Sequence, residues 1–208
     1  MQIIKEVCVD SLEDAIKAEK HGANRIELCG RLDLDGLTPS RDLISNAFSI
    51  LKIPIRVMIR PKHPSFEYSE EEINTMIDDI KFCKSLGVDG VVFGCLDENS
   101  NFQMDQINRL SIIAKPLNVI IHKAIDYTNS ILDSLSLISK NSNINGVLTS
   151  GGERFAINAV ETLKKMLVLV PDKFEIIIAG GITFENFESL HALSNGKFYH
   201  GKKIINIK

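Results

Sequence analysis

The sequence lacks tryptophan altogether and has almost no excess of either charge. Among its 208 residues, Lys and Arg number 24 and Asp and Glu number 27, so the formal net charge is −3. A nucleic-acid-binding domain usually shows clustered basic residues and a high pI, whereas the pI here is about 6.0. We therefore expect no nucleic acid among the partners of this protein.

Long apolar runs are missing as well. No segment approaches the roughly 20 apolar residues that a membrane-spanning helix needs, and the residues from Met1 to Glu6 lack the apolar stretch of a signal peptide. We therefore expect no membrane association and a cytoplasmic location. With 44% apolar and 25% charged residues, the composition is that of a globular protein. The length fits one domain, residues 1–208, with a sizeable core.

Cysteine pairs of the C-x-x-C kind are also absent. The four cysteines, Cys8, Cys29, Cys83 and Cys95, are widely spaced, which argues against a zinc ribbon or a thioredoxin-type motif. Because the cytoplasm is reducing, structural disulfides are not expected either. The sequence therefore predicts four free thiols.

What the chain does contain is a regular alternation of strand-like and helical segments. The clearest helix follows Ser69, because Ser69 and Glu72 have the spacing of a capping box and an apolar stripe runs up to Gly87. Asn129 is predicted to cap the fifth helix, and the sixth is predicted over residues 154–170. Eight strands are predicted, over residues 3–9, 24–29, 54–60, 88–94, 118–123, 145–150, 173–179 and 197–200. Strict alternation of strands and helices implies a parallel sheet.

Two parallel architectures compete. A doubly wound dinucleotide-binding sheet has five or six strands and a glycine-rich turn after strand one, but that turn reads Cys8-Val-Asp-Ser11. Eight strands instead predict an α/β fold, the (β/α)₈ TIM barrel, near its lower length limit of about 200 residues. We expect no eighth helix, because only residues 201–208 follow strand eight. Either a neighbouring subunit in a homodimer covers the resulting seam or the seam is exposed.

Candidate functional residues lie at the carboxyl ends of the strands, where TIM barrels place their active sites. The first two strands end in Glu6-x-Cys8 and Glu27-x-Cys29, and His200 ends the last. Residues two apart in a strand share a face, and a buried carboxylate needs a charged partner. Three arginines on neighbouring strands are available: Arg25, Arg56 and Arg60. Such an Arg–Glu network belongs either to a site or to the structural framework, and both interpretations stay open.

The strand ends also bring together groups that are suited to catalysis. The predicted catalytic residues are Glu6, Glu27, Arg60, His122 and Asp126. Arg60 would hold an anion, and His122 would move protons together with one of the two glutamates. This combination predicts an enzyme that acts on a small anionic substrate, for which a phosphorylated molecule is one option.

Two glycine pairs indicate where such an anion would bind. Ser150-Gly151-Gly152 and Gly180-Gly181 each precede a predicted helix, and backbone N–H groups at helix N-termini bind anions. Arg25 is the predicted charged partner. Tight turns after parallel strands also use glycine for its backbone freedom, so a purely structural role is the alternative.

Cys8 and Cys29 are the candidate metal ligands. They end adjacent parallel strands, which lie about 5 Å apart, and thiolates prefer a soft ion such as Cu(I). Zinc is disfavoured because four ligands are not evident from the spacing. The alternative is that both are buried and inert. A sulfur–sulfur separation of about 4 Å or less, with both facing a cavity, favours a metal, whereas an intervening side chain makes them core.

Several segments, taken together, resemble one known family. Glu6-Val-Cys-Val-Asp-Ser11, Gly22-Ala-Asn-Arg-Ile-Glu-Leu-Cys29, Leu148-Thr-Ser-Gly-Gly152 and Ala179-Gly-Gly-Ile182 are similar, in this order, to the CutC family of copper homeostasis proteins. The resemblance implies a (β/α)₈ barrel and a cytoplasmic protein linked to copper handling. It also implies that Cu(I) binds to Cys8 and Cys29. The predicted partner is therefore a copper ion or a small anionic molecule.

Overall fold

Eight parallel strands form a closed barrel in which each strand pairs with its neighbours in chain order. The computed structural model describes residues 2–206. The strands are β1 Ile4–Val9, β2 Arg25–Leu28, β3 Ile55–Met58, β4 Gly90–Phe93, β5 Asn118–Ile121, β6 Gly146–Thr149, β7 Glu175–Ile178 and β8 Phe198–His200. The predicted TIM barrel is confirmed, although most strands are shorter at their ends than the apolar segments suggested.

Seven α-helices separate the strands within residues 2–206. They are α1 Leu12–Lys20, α2 Arg41–Ile50, α3 Glu70–Leu86, α4 Met104–Ala114, α5 Ile131–Ser139, α6 Val160–Leu169 and α7 Phe184–Ser194. As predicted, no helix follows β8 in the described part of the chain. None of the described helices combines the length and the apolar character that crossing a bilayer would require.

Side-chain caps determine where several helices begin. Ser69 Oγ accepts from the Glu72 N–H at 3.3 Å, and the Glu72 carboxylate accepts from the Ser69 N–H at 2.8 Å. The predicted capping box therefore forms at the start of α3. In α5 the cap is Ser130, whose Oγ accepts from the Asp133 N–H. The prediction that Asn129 caps this helix is wrong by one residue, because the Asn129 side chain donates to the loop before α4 instead.

The sixth helix differs most from the prediction. It begins at Val160 and follows a 3₁₀ turn, Ala156–Ala159, rather than starting near residue 154. Gly151 and Gly152 have φ angles of +75° and +85°, which a helix does not allow. The Ala156 N–H then donates to Gly180 O at 3.0 Å. This bond holds the segment against the end of β7, so it forms a loop at the barrel mouth.

The core has two apolar layers, because successive strand residues point to opposite faces. The larger layer lies between the strands and the helices and includes Val7, Ile26 and Phe93. The smaller layer fills the barrel interior. Its buried members are Cys8, Cys29, Met58, Val92, Ile120, Leu148, Ile177 and Ala179. Both candidate metal ligands therefore project into the barrel rather than toward the helices.

The seam between β8 and β1 is covered within the chain. Tyr199 of β8 is fully buried, its ring lies 5.0 Å from that of Phe187, and its hydroxyl is 2.8 Å from His191 Nδ1. Lys5 Nζ lies 3.9 Å from the centre of the Phe187 ring. Helix α7 thus covers the seam that we expected to be exposed or shared. The seam gives no argument for a homodimer, which stays a prediction.

Candidate functional site

A cavity of about 750 Å³ lies at the carboxyl ends of the strands. This volume suits a small molecule, and the position is the one that TIM barrels use for their sites. Polar groups from five strands or the residues just after them line the cavity, namely Cys8, Glu27, Arg60, His122 and His200. The cavity therefore contains candidate residues for both predicted functions, metal binding and catalysis.

Cys8 and Cys29 lie side by side inside the barrel. Their sulfur atoms are 3.7 Å apart, within the separation that we set for a metal site. Cys8 lines the cavity, whereas Cys29 lies behind it, is 1% exposed, and has its sulfur 3.5 Å from Glu27 Oε2. The distance criterion is met, but the cavity reaches the pair through Cys8.

His200 joins the two strand ends that carry the cysteines. Cys8 Sγ, a Glu27 carboxylate oxygen and a ring nitrogen of His200 all lie within 4.8 Å of one another. Closure of the barrel pairs β8 with β1 and sets His200 opposite Glu6, and the ring Nδ1 is 2.8 Å from Glu6 Oε1. We located His200 at a strand end from the sequence but assigned it no role. The signal was present, because strand one of a closed barrel must meet strand eight.

Hydrogen bonding, burial and neighbouring charges shift the pKa values of the groups in this cluster in different directions. The hydrogen bond with Cys29 lowers the pKa of Cys8 to about 5, against the effect of burial and with help from His200. The same bond, together with burial, raises the pKa of Cys29 well above its ordinary value. Burial lowers the pKa of His200, but the charges of Glu27 and Cys8 and a hydrogen bond to Glu6 outweigh it and raise that pKa. These shifts favour a Cys8 thiolate beside a His200 imidazolium.

The two glutamates of the cluster differ in their partners. Burial raises the pKa of Glu27 well above its ordinary value, against the charge of His200. Burial also raises the pKa of Glu6, but Arg25, His200 and Arg56 outweigh this and hold it well below its ordinary value. Glu27 Oε1 is buried and has no hydrogen-bond partner among residues 2–206. Glu27 is thus the carboxyl group that remains available to a bound ion or molecule.

Arg25 and Arg56 lie below this cluster, toward the amino ends of the strands. Arg56 donates to Glu175 from Nη1 at 2.8 Å and from Nη2 at 3.0 Å, and to Asp89 from Nε at 2.9 Å. Arg25 pairs with Glu6, and its Nη2 is 3.2 Å from Glu175 Oε2. Arg25, which we predicted to bind an anion, is therefore engaged by two carboxylates and lies outside the cavity lining.

The Ser150-Gly151-Gly152 loop holds a carboxylate of the protein itself. Asp126 accepts from the Ser150 N–H at 2.9 Å, from the Gly152 N–H at 3.1 Å and from Thr149 Oγ1 at 2.5 Å. The Gly151 N–H donates to Thr149 Oγ1 at 2.9 Å. An internal carboxylate thus stands where we predicted an external anion. Asp126, which we predicted to be catalytic, anchors this loop.

The second glycine pair remains at the cavity. Gly180 and Gly181 have φ angles of +101° and +71°, and both line the cavity. A Cβ on Gly180 would lie 2.7 Å from Ser150 Cβ, and one on Gly181 would lie 2.5 Å from the Phe155 ring. Backbone conformation and close packing therefore both require glycine at these positions. Anion binding by this pair stays a prediction.

Arg60 and His122 form a separate polar part of the cavity wall, next to Phe66. The Arg60 Cζ atom and the His122 ring centre lie 4.6 Å and 4.8 Å from the Phe66 ring centre. Burial, with the charge of Arg60, lowers the pKa of His122 to about 3, so the ring is neutral. Its Nδ1 accepts from the Ala124 N–H at 3.1 Å, which places the ring proton on Nε2. His122, predicted to move protons, is thus arranged as a hydrogen-bond donor.

We expect the buried neutral His122 to make stability depend on pH. Its pKa is about 3 in the folded protein and about 6.5 in the unfolded chain, so the unfolded state takes up the proton first as the pH falls. The contribution is fully present above pH 6.5 and is lost progressively toward pH 3. The free energy of unfolding, measured with urea, should fall between pH 7.5 and pH 5 in the wild type. In His122→Asn this fall should be smaller by about 2 kcal/mol.

The matched control for this measurement is His21→Asn, because His21 is exposed. The pH profile of this variant should follow that of the wild type. If His122→Asn and His21→Asn give the same profile, His122 does not stay neutral in the folded protein.

The fold and the cavity define a TIM-barrel protein whose mouth combines two thiols with a histidine and a carboxyl group. The model of the CutC family matches residues 3–205, and the chain belongs to this family. The human copper homeostasis protein cutC homolog is 35% identical over 197 residues, which cover 95% of this chain and 72% of the human protein. A CutC family protein of Aliivibrio fischeri (strain MJ11) is 37% identical over 202 residues, covering 96% and 81% of the two chains.

Solved structures agree with this assignment. A copper homeostasis protein CutC from Streptococcus agalactiae aligns with a TM-score of 0.92 at 28% identity, covering 98% of this chain and 100% of that one. A dihydrodipicolinate synthase from Bacillus anthracis aligns with a TM-score of 0.68 at 14% identity, covering 97% and 70%. The second likeness shows the shared barrel fold alone. The predicted membership of the CutC family is confirmed.

Proposed function

We propose that this protein is a cytoplasmic copper homeostasis protein that binds one Cu(I) ion through Cys8 and Cys29. The observation that carries the proposal is the 3.7 Å separation of the two sulfur atoms at the floor of a cavity. The human relative is named a copper homeostasis protein cutC homolog. Cu(I) is a soft ion that prefers thiolate and imidazole ligands.

The residues present fit such an ion. Cys8 already has the character of a thiolate, because its pKa is lowered to about 5, and thiolates are the form that binds metals. Cys29 would lose its proton on binding, as thiol ligands generally do. His200 would also lose a proton on binding, because the neutral ring is the form that ligates a metal, and it offers a ring nitrogen within 4.8 Å of Cys8. The buried Glu27 Oε1 lacks a partner among the described residues.

Glu6 positions the histidine for this role. Its carboxylate holds Nδ1 of the His200 ring at 2.8 Å and is itself paired with Arg25. Nε2 is thereby directed toward Glu27, whose Oε2 is 3.7 Å away. Carboxylates that hold the second ring nitrogen of a ligating histidine fix its orientation in many metal sites.

Anaerobic titration with Cu(I) against a competing chelator tests the proposal. We expect one equivalent to bind to the wild type, and the Cys8→Ser/Cys29→Ser double variant to lose this binding. The control is Cys83→Ser, because Cys83 is fully buried in α3 between strands and helices. Unchanged affinity in the double variant would contradict the proposal.

The predicted alternative, an enzyme for a small anionic substrate, stays a prediction. Arg25 and the Ser150-Gly151-Gly152 loop, which we expected to bind the anion, are taken by carboxylates of the protein. What remains available to an anion is the wall of Arg60 and His122, together with the Gly180-Gly181 pair.

A further inference from the structure

Arg60 carries a buried charge without a carboxylate partner. It is 4% exposed, and its Nη1 and Nη2 atoms donate to backbone carbonyl groups at 3.1–3.5 Å, with the His63 ring also within 3.4 Å. Across residues 2–206, Arg60 forms no salt bridge, whereas Arg25 and Arg56 each meet two carboxylates. A buried charge without a counter-charge is costly, so this position favours an anion that the chain does not supply.

Two N–H groups on this wall also lack acceptors. Arg60 Nε and His122 Nε2 are buried and have no hydrogen-bond partner among the described residues. His122 is 3% exposed, and the Ala124 N–H at its Nδ1 makes Nε2 the protonated nitrogen. Leaving a buried donor unsatisfied is unfavourable. Two such donors in one cavity wall point to an acceptor that belongs to a ligand.

A purely structural role accounts for part of this arrangement. The terminal nitrogens of Arg60 tie the backbone at residues 34–36 to that at Pro64, which holds two loops together. Tyr68, whose hydroxyl lacks another hydrogen-bond partner among the described residues, also interacts with Arg60. Neither contact gives a reason for a neutral histidine whose donor is unpaired beside a cation. A ligand anion at this wall would accept from the histidine and balance the charge of Arg60.

Part of the cavity lining is apolar. Met58, Phe66, Leu96, Leu148 and Ile182 line it together with Arg60 and His122. The volume of about 750 Å³ exceeds what a simple inorganic anion needs, since sites of this size hold organic ligands. The occupant therefore combines an anionic group with an apolar body.

We propose that this cavity binds a small organic anion whose carboxylate or phosphate group lies against the Arg60 guanidinium and accepts a hydrogen bond from His122 Nε2. The site uses neither cysteine, so it is independent of the copper proposal. It would place the anion in the same cavity as the Cys8, Glu27 and His200 cluster.

Isothermal titration calorimetry on the metal-free protein tests this site with three probes, benzoate, phenyl phosphate and the uncharged benzamide. We expect saturable binding of benzoate or phenyl phosphate and none of benzamide. The stronger of the two anions tells whether the site is built for a carboxylate or a phosphate. Absence of saturable binding for both anions, or equal binding of benzamide, would overturn the proposal.

Variants locate the binding on this wall. Arg60→Lys keeps the charge but loses the planar set of donors, so we expect at least about tenfold weaker binding, and His122→Asn should also weaken it. The control is Arg109→Lys, which is exposed, lies outside the cavity lining and should leave affinity unchanged. Wild-type affinity in Arg60→Lys would contradict the assignment.

A measurement on the wild type keeps the test independent of how the variants fold. The ¹⁵N-bound ring proton of His122 should be visible by NMR as an Nε2–H and should shift downfield when benzoate or phenyl phosphate saturates the cavity. An unmoved signal at saturation would overturn the proposal. The Cys8→Ser/Cys29→Ser variant should keep its affinity for the anion, so failure of the copper site and failure of this site are distinguishable.

Discussion

Cys8→Ser is expected to weaken Cu(I) binding by about 100-fold or more, whereas Cys29→Ser should weaken it by about tenfold. The two sulfurs are in contact, but their surroundings differ. Cys8 lines the cavity and lies with Glu27 and His200 in one cluster of ligand atoms. Loss of Cys8 therefore removes the soft ligand that joins the other donors, while loss of Cys29 leaves that cluster in place.

Chelator competition on each single variant, run beside Cys83→Ser, measures this difference. A tenfold change in affinity corresponds to about 1.4 kcal/mol of binding free energy, so the two variants should differ by at least that amount. Equal losses would mean that the ion lies symmetrically between the sulfurs. A larger loss for Cys29→Ser would place the ion behind the cavity floor and contradict the role given to His200.

The barrel was predictable because its signals are local and repeated. The capping box of Ser69 and Glu72 and the apolar stripe of α3 depend on residues three or four apart, and each formed as expected. Element ends were less predictable where a distant contact decides them. The Ala156 N–H, in the segment after β6, bonds to Gly180 O just after β7, and no pattern within the sixth helical segment reveals that bond.

Contacts within the site were predictable where they join the ends of adjacent strands. They were less predictable where they depend on closure of the barrel. Cys8 and Cys29 lie on consecutive strands, so their proximity follows from strand order. Glu6 and His200 meet although they are 194 residues apart, and Glu175 reaches Arg56 from 119 residues away. Residue type alone does not tell which carboxylate will neutralise which arginine. For this reason we predicted from the sequence that Arg25 binds an anion, whereas in the fold its charge is neutralised by Glu6 and Glu175.

The second large effect is expected for Arg56→Met, which should lower the free energy of unfolding by about 3–5 kcal/mol. Arg56 is 2% exposed and makes three hydrogen bonds to Glu175 and Asp89. Its removal leaves the mostly buried Glu175 carboxylate with Arg25 as its remaining cation. Urea unfolding measures the change. The control is Lys164→Met, whose exposed ion pair with Glu161 should contribute less than about 0.5 kcal/mol.

The double variant Arg56→Met/Glu175→Met separates the value of the ion pair from the cost of an unpaired charge. Replacing both partners of a buried pair by apolar side chains is often close to neutral, so we expect it to recover most of the lost stability. A loss below about 1 kcal/mol in the single variant would show that water or a neighbour compensates Glu175. Cu(I) affinity of folded Arg56→Met should equal that of the wild type, because Arg56 lies outside the cavity lining. That result would assign Arg56 and its carboxylates to the structural framework, and a changed affinity would return them to the site.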